Sequence, residues 1–134
     1  MKILIVNGPN LNLLGTREPE IYGSISMDEI LNSLKKEFSQ HEISYFQSNH
    51  EGGIIDRLQA NDFDALIINP GAFTHYSYAI ADCLKNIQKR KIEVHISNIY
   101  QREGFRQKSV TAAYTDSLIS GFGTDGYRLA ITSL

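Results

Sequence analysis

Tyr22 and Arg17 stand five positions apart in the polar stretch 8–24, which also carries Asn10. An unperturbed phenol titrates near pH 10, but a neighbouring guanidinium favours the anion and draws its pKa toward neutrality. The pair is therefore a unit from which a tyrosinate base can be built. Pro9, Gly15, Pro19 and Gly23 lie in the same stretch and can act as hinges and stops. Taken alone, Tyr22 is better explained by a packing or surface role.

A second unit is Glu93-Val94-His95-Ile96-Ser97. On a strand, residues two apart face the same way, so Glu93 lies beside His95. A carboxylate there can fix the imidazole tautomer and raise its basicity, which suits general acid–base work. The amides of Ile96 and Ser97, past the strand end, can bind a carboxylate. The plainer alternative is a structural Glu–His contact at a sheet edge. Arg102 and Arg106 follow, four apart, a spacing that lets them share a helical face and bind hydroxyls or a carboxylate; a solvated loop explains them as well. His75 can donate to a substrate hydroxyl or cap the helix that starts near it.

Other chemistry is poorly supported. No triplet of ligands with metal spacing surrounds His50, Glu51 or His95. Residues 8–15 are not a Walker loop. Gly121-Phe122-Gly123-Thr124-Asp125-Gly126 has dinucleotide-loop spacing but follows the last predicted strand, so nucleotide binding is discounted. Lys89-Arg90-Lys91 reads as a solvated turn with cations at a helix C-terminus. Cys83, the single cysteine, excludes an internal disulfide and reads as a buried structural thiol.

The elements that must position these groups alternate strand with helix. Strands are predicted at 2–7, 42–48, 64–69, 92–97 and 117–121. Ser26-Met27-Asp28-Glu29 is a capping box, opening a helix whose apolar stripe is Ile30, Leu31, Leu34 and Phe38. Ile54, Ile55 and Leu58 mark a second helix ended by Asn61 or Asp62; others are predicted at 78–89 and 124–132. Apolar strands between helices argue an α/β fold with a parallel sheet covered on both faces. Five strands with right-handed crossovers give a flavodoxin-like order, and ligands then bind outside the carboxyl ends of the strands. Asn7-Gly8-Pro9-Asn10, Asn69-Pro70-Gly71-Ala72 and His95-Ile96-Ser97-Asn98 gather at that edge.

With 134 residues, 42% hydrophobic and 21% charged, the sequence is that of one ordinary globular domain over 1–134. A net charge of -2 gives no electrostatic footprint for nucleic acid or a membrane surface. No apolar stretch approaches the roughly 20 residues that span a bilayer, and residues 3–6 are too short for a signal peptide. A cytoplasmic protein is expected.

Taken together, Gly8-Pro9-Asn10-Leu11-Asn12-Leu13-Leu14-Gly15, Arg17-Glu18-Pro19, Tyr22-Gly23, Ser48-Asn49-His50-Glu51-Gly52, Asn69-Pro70-Gly71-Ala72-Phe73-Thr74-His75 and Glu93-Val94-His95-Ile96-Ser97-Asn98 resemble the type II 3-dehydroquinate dehydratases. Arg102-Glu103, Phe105-Arg106 and Gly126-Tyr127 continue the likeness over essentially the whole chain. The resemblance implies a flavodoxin-like domain assembled as a dodecamer, a tetramer of trimers. It implies dehydration of 3-dehydroquinate to 3-dehydroshikimate in the shikimate route to aromatic amino acids, with no cofactor and no metal. By the same resemblance Tyr22 takes a C2 proton and Arg17 holds it as the anion. Asn10 binds a water that stabilises the enolate. His95, oriented by Glu93, protonates the departing C1 hydroxyl. Asn69, His75, Arg106 and the Ile96 and Ser97 amides hold the substrate, Arg102 matches the family's other arginine near the first loop, and Asp82 matches a position reaching a neighbouring subunit's site.

The sequence departs from the family late in the chain. Many relatives carry His where Tyr100 stands, and His-x-Ser-Tyr where this chain has Gln107-Lys108-Ser109-Val110; 111–116 is also unusual. These positions are expected to lie outside the base–acid pair. A phosphoacceptor receiver of the same fold would need an acidic cluster after strand one, where Asn7-Gly8-Pro9 stands. A retired homologue would lack Tyr22, Arg17 or His95. A Schiff-base dehydratase would want a pocket lysine, and apart from Lys108 the lysines lie on helices, in turns or at the N-terminus.

Overall fold

Ile3, Leu4, Ile5 and Val6 are all fully buried, the pattern of a strand covered on both faces. In the computed structural model, which describes residues 1–16, Glu20 and residues 24–134, this strand is β1 (Lys2–Asn7). It lies inside a five-stranded parallel sheet ordered β2-β1-β3-β4-β5, with β2 at Glu42–Gln47, β3 at Ala65–Asn69, β4 at Arg90–His95 and β5 at Ser117–Ser120. This is the expected flavodoxin-like α/β architecture. The helices are α1 (Met27–Glu37), α2 (Glu51–Gln59), α3 (Tyr78–Lys85) and α4 (Asp125–Thr132).

Side chains alternate across β1 and so feed two cores. Ile3 and Ile5 join Ile67, Ile92 and Val94 beneath α1 (Ile30, Leu31, Leu34) and α4 (Tyr127, Ala130, Ile131). Leu4 and Val6 join Leu66 and Ile68 beneath α2 (Ile54, Leu58) and α3 (Ile80, Leu84). The Ser26 half of the capping box forms: its Oγ accepts the Glu29 amide at 3.2 Å and donates to the Glu29 carboxylate at 3.3 Å.

Several predicted boundaries shift. The third helix stops at Lys85, not residue 89, because Asn86 caps it and β4 already begins at Arg90. Lys91 is accordingly no solvated turn residue. It is buried in β4, and its ammonium donates to the Leu84 and Ile87 carbonyls at 2.9 and 2.5 Å, closing the end of α3. The second helix ends at Gln59, and Asn61 beyond it takes a left-handed φ of 55°. The fourth strand ends at His95, so Ser97 lies past it.

In this strand order the chain leaves β1 and β3 in opposite directions, and a crevice opens between their carboxyl ends. The two exits interlock. Gly8 donates its amide to Asn69 O at 2.8 Å, and a Cβ on Gly8 would meet the Pro70 carbonyl at 2.2 Å, so no other residue fits there.

Candidate active site

The crevice is a cavity of about 180 Å³. Its β1 side is Pro9, Asn10, Leu11 and Leu14; its β3 side is Asn69, Gly71 and Ala72; its β4 side is His95, Ile96, Ser97, Arg102 and Arg106. Three strand ends thus supply seven of the polar and backbone candidates named from the sequence. Asn10 is held there by its backbone. It takes a left-handed φ of 67° and donates its amide to Asn49 Oδ1, which also accepts from Gln47 Nε2.

Glu93 and His95 share a face of β4, with His95 Nε2 2.7 Å from Glu93 Oε2. Glu93 is completely buried, and His95 is nearly so where it lines the cavity. The carboxylate also accepts from Thr74 Oγ1 (2.8 Å) and Ser109 Oγ (3.0 Å) at Oε2, and from Thr111 Oγ1 (2.6 Å) at Oε1. Three of these contacts fall on Oε2 and one on Oε1, and Thr74 Oγ1 also lies 2.6 Å from Ser109 Oγ and 2.8 Å from Thr111 Oγ1, so the hydroxyls form a network around the carboxylate. Burial alone would push the Glu93 carboxyl up. The hydrogen bond and charge of His95, with the Thr111 and Thr74 hydroxyls, outweigh it and hold the carboxyl below its usual range. The anion in turn favours an Nε2–H tautomer, leaving Nδ1 as the ring nitrogen that can exchange a proton with a bound molecule.

The late segment set apart by its departures reaches the carboxylate behind His95. Ser109 and Thr111 touch Glu93 directly, and Val110 N donates to Thr74 O at 2.7 Å, fastening the segment to the site. Gln107 ties the preceding loop by donating to the Arg102 and Tyr100 carbonyls at 2.7 and 3.2 Å. Sequence reasoning missed Thr74, Ser109 and Thr111 as partners of Glu93. The usable signal is three hydroxyls with no apolar alternation around them, close to a carboxylate placed on a buried strand.

Arg102 and Arg106 do not share a helix. Two single 3₁₀ turns, Ile99–Gln101 and Gly104–Gln107, are broken at Arg102 by extended backbone. Both guanidiniums nonetheless line the cavity: Arg102 donates to Ser97 Oγ, and Arg106 pairs with Glu103 at 3.2 Å on the exposed rim. His75 sits at the end of a 3₁₀ turn, Gly71–His75, and caps nothing; that task at α3 falls to Ser77, whose Oγ accepts from Ile80 N. Its Nδ1 donates to Lys108 O at 2.7 Å, and its buried Nε2 has no partner among the described residues. Asp82 is exposed on α3 and does not line the cavity of its own chain. Arg17 and Tyr22 lie outside the described residues. Among the described residues no group of three or more His, Cys, Asp or Glu side chains could hold a metal ion. Cys83 is only half-buried, on α3, with its thiol pushed up by burial.

Below the β3 side lies a second buried polar cluster. Tyr127 of α4 donates to Asn7 Oδ1 at 2.7 Å and accepts from Asn69 Nδ2 at 3.1 Å. Asn7 Nδ2 donates to Tyr45 Oη at 3.3 Å and contacts Met27 Sδ at 3.4 Å, while Asn69 Oδ1 accepts from Gly71 N at 3.1 Å.

Comparison with known proteins gives a consistent result. The family described as Dehydroquinase class II matches residues 1–134. The chain is 56% identical to a 3-dehydroquinate dehydratase of Thermotoga neapolitana, covering 98% of this chain and 92% of the relative. It is 53% identical to a 3-dehydroquinate dehydratase of Clostridium beijerinckii, covering 100% and 95%. The crystal structure of a type II dehydroquinase from Butyrivibrio crossotus superposes with a TM-score of 0.94 at 48% identity, over 99% of this chain and 96% of that one.

Proposed function

The chain belongs to the class II dehydroquinase family, a family of hydro-lyases, and from that premise we propose that it dehydrates 3-dehydroquinate to 3-dehydroshikimate by a base and an acid on separate elements. Tyr22, ionised by the field of Arg17, takes a proton from C2. The carbonyl becomes an enolate, whose oxygen is stabilised through a water held by Asn10. As the enolate collapses, the C1–O bond breaks, C1=C2 forms, and His95 gives the departing hydroxyl a proton, so that water leaves. Glu93 keeps the imidazole oriented and balances its charge.

Asn69, His75, Arg106 and the amides of Ile96 and Ser97 hold the substrate's hydroxyls and carboxylate, with Arg102 beside them. Two guanidiniums on one cavity wall suit an anionic substrate. The observation that carries this reading is the Glu93–His95 pair, a buried, hydrogen-bonded carboxylate behind an imidazole that opens on a cavity with no other acid among its described lining residues.

The same reading extends to the whole chain as a single catalytic domain, 1–134, acting in the cytoplasm in the shikimate route. It extends also to a dodecamer built as a tetramer of trimers, in which Asp82 meets a neighbouring subunit's site. The exposed position of Asp82 on α3 and the exposed rings of Tyr76 and Tyr78 support that arrangement. No helix among the described residues is long and apolar enough to cross a membrane.

The test is a spectrophotometric assay with 3-dehydroquinate, following the conjugated enone carboxylate of the product. Turnover should survive borohydride treatment, which traps Schiff bases, and should be lost in Tyr22→Phe. No turnover by the folded wild type, or near-normal turnover by Tyr22→Phe, contradicts the proposal.

A further inference from the structure

Tyr127 is the largest wholly buried side chain, and the proposed chemistry gives it no task. Its neighbour Asn69 lines the cavity. A side-chain amide can enter a site either way round, presenting an N–H donor or a carbonyl acceptor of almost the same shape. We propose that Tyr127 is a positioning residue that fixes the polarity of Asn69, so that a bound substrate meets an N–H donor there. This rests on the reading of Asn69 as a substrate-binding residue.

Two anchors set the amide. The Gly71 N–H points at Oδ1, and Nδ2 donates to the Tyr127 oxygen. A flipped amide would set two donors against each other at Gly71. At Tyr127 the outcome depends on where the phenol spends its single hydrogen. That hydrogen goes to Asn7 Oδ1 at 2.7 Å, so the phenol can only accept from Asn69. Asn7 is itself held, because its Nδ2 donates to Tyr45 and contacts Met27. Polarity is thus passed from β2 through β1 and α4 to β3, and the second Nδ2 hydrogen of Asn69, with no partner among the described residues, is left for the cavity. Burial keeps the Tyr127 phenol un-ionised, so it retains the hydrogen that the arrangement needs.

The test is Tyr127→Phe, which removes one oxygen from a packed ring. One neutral hydrogen bond lost at one remove predicts a KM for 3-dehydroquinate raised about tenfold, with kcat within about twofold. In an Asn69→Ala background, or Asn69→Leu where alanine prevents folding, the same substitution should leave KM unchanged. A crystal structure of Tyr127→Phe should show the Asn69 amide shifted or split between orientations, a readout independent of the substrate's identity. Unchanged KM, an equal rise in both backgrounds, or an unmoved Asn69 would overturn the proposal, whatever the variant's melting temperature does. An inactive wild type would count against the substrate assignment instead and leave the crystal structure to decide the role of Tyr127.

Discussion

The Glu93 cluster and the Tyr127 cluster lie under the same carboxyl edge of the sheet, behind the neighbouring strands β4 and β3, yet one buries a charge while the other keeps every proton. Around Glu93, three hydroxyls and an imidazole lie within hydrogen-bond distance of one carboxylate. Around Tyr127, two amides and two phenols pair donor with acceptor and leave no net charge. Both satisfy their buried polar groups, as a folded interior requires. The difference lies in what each hands to the cavity: the first a proton on His95, the second a fixed amide on Asn69. Of the two clusters, the charge is buried in the one that serves proton transfer.

The comparison breaks most severely at Glu93→Gln. Gln offers an NH₂ where the surrounding donors need an acceptor, and leaves the imidazole without its counter-charge. We expect kcat to fall by about 100-fold or more, and stability by about 3–5 kcal/mol, as for the loss of one partner of a buried pair. Steady-state kinetics and denaturant unfolding measure the two. Thr111→Val is milder, since His95, Thr74 and Ser109 still surround the carboxylate. Loss of a hydrogen bond to a charged group costs about 1.5–3 kcal/mol, and kcat should drop several-fold with little change in KM. That split is the reverse of the one expected for Tyr127→Phe, and equal KM effects in the two variants would erase the distinction.

The smallest effects separate the clusters by pH. Glu93 is held below its ordinary value of 4.5 in the folded chain, so its stabilisation is fully present above that value and is lost as pH falls through the depressed one. Tyr127 is pushed above its ordinary value of 10.0. The unfolded chain therefore sheds that proton first, and stability falls as pH rises past about 10. Tyr45, pushed up chiefly by burial, adds to the alkaline limb. Melting temperature against pH should lose part of its acid limb in Glu93→Gln and part of its alkaline limb in Tyr127→Phe; the same limb changing in both would contradict the assignment.

Much of this was legible in the sequence where the signal is local. Unbroken apolar runs mark buried parallel strands, Ser26 with Glu29 marks a helix start, and a spacing of two on a strand brings Glu93 to His95. Local spacing failed where the partner arrives through topology. Tyr127 meets Asn7 across 120 positions and Asn69 across 58, and nothing in Gly126-Tyr127 announces either. Lys91 looked like one of three exposed cations, but the early end of α3 left two carbonyls that only a buried ammonium reaches. Arg102 and Arg106 reach one wall through two 3₁₀ turns rather than one helix, because side-chain reach, not helical period, brings them to the cavity. Ser109 and Thr111 stood in the stretch that departs from the family pattern, and their hydroxyls gained meaning only once the fold carried them to Glu93.

The central claim is that the base and the acid are different groups acting at different steps. The most direct measurement is deuterium incorporation at C2 of 3-dehydroquinate by His95→Gln in D₂O, followed by NMR beside the rate of dehydration. The account predicts that dehydration falls by about 10²–10⁴-fold while C2 exchange continues, since Tyr22 still removes that proton. Exchange and dehydration lost together would place His95 in the first step and contradict it.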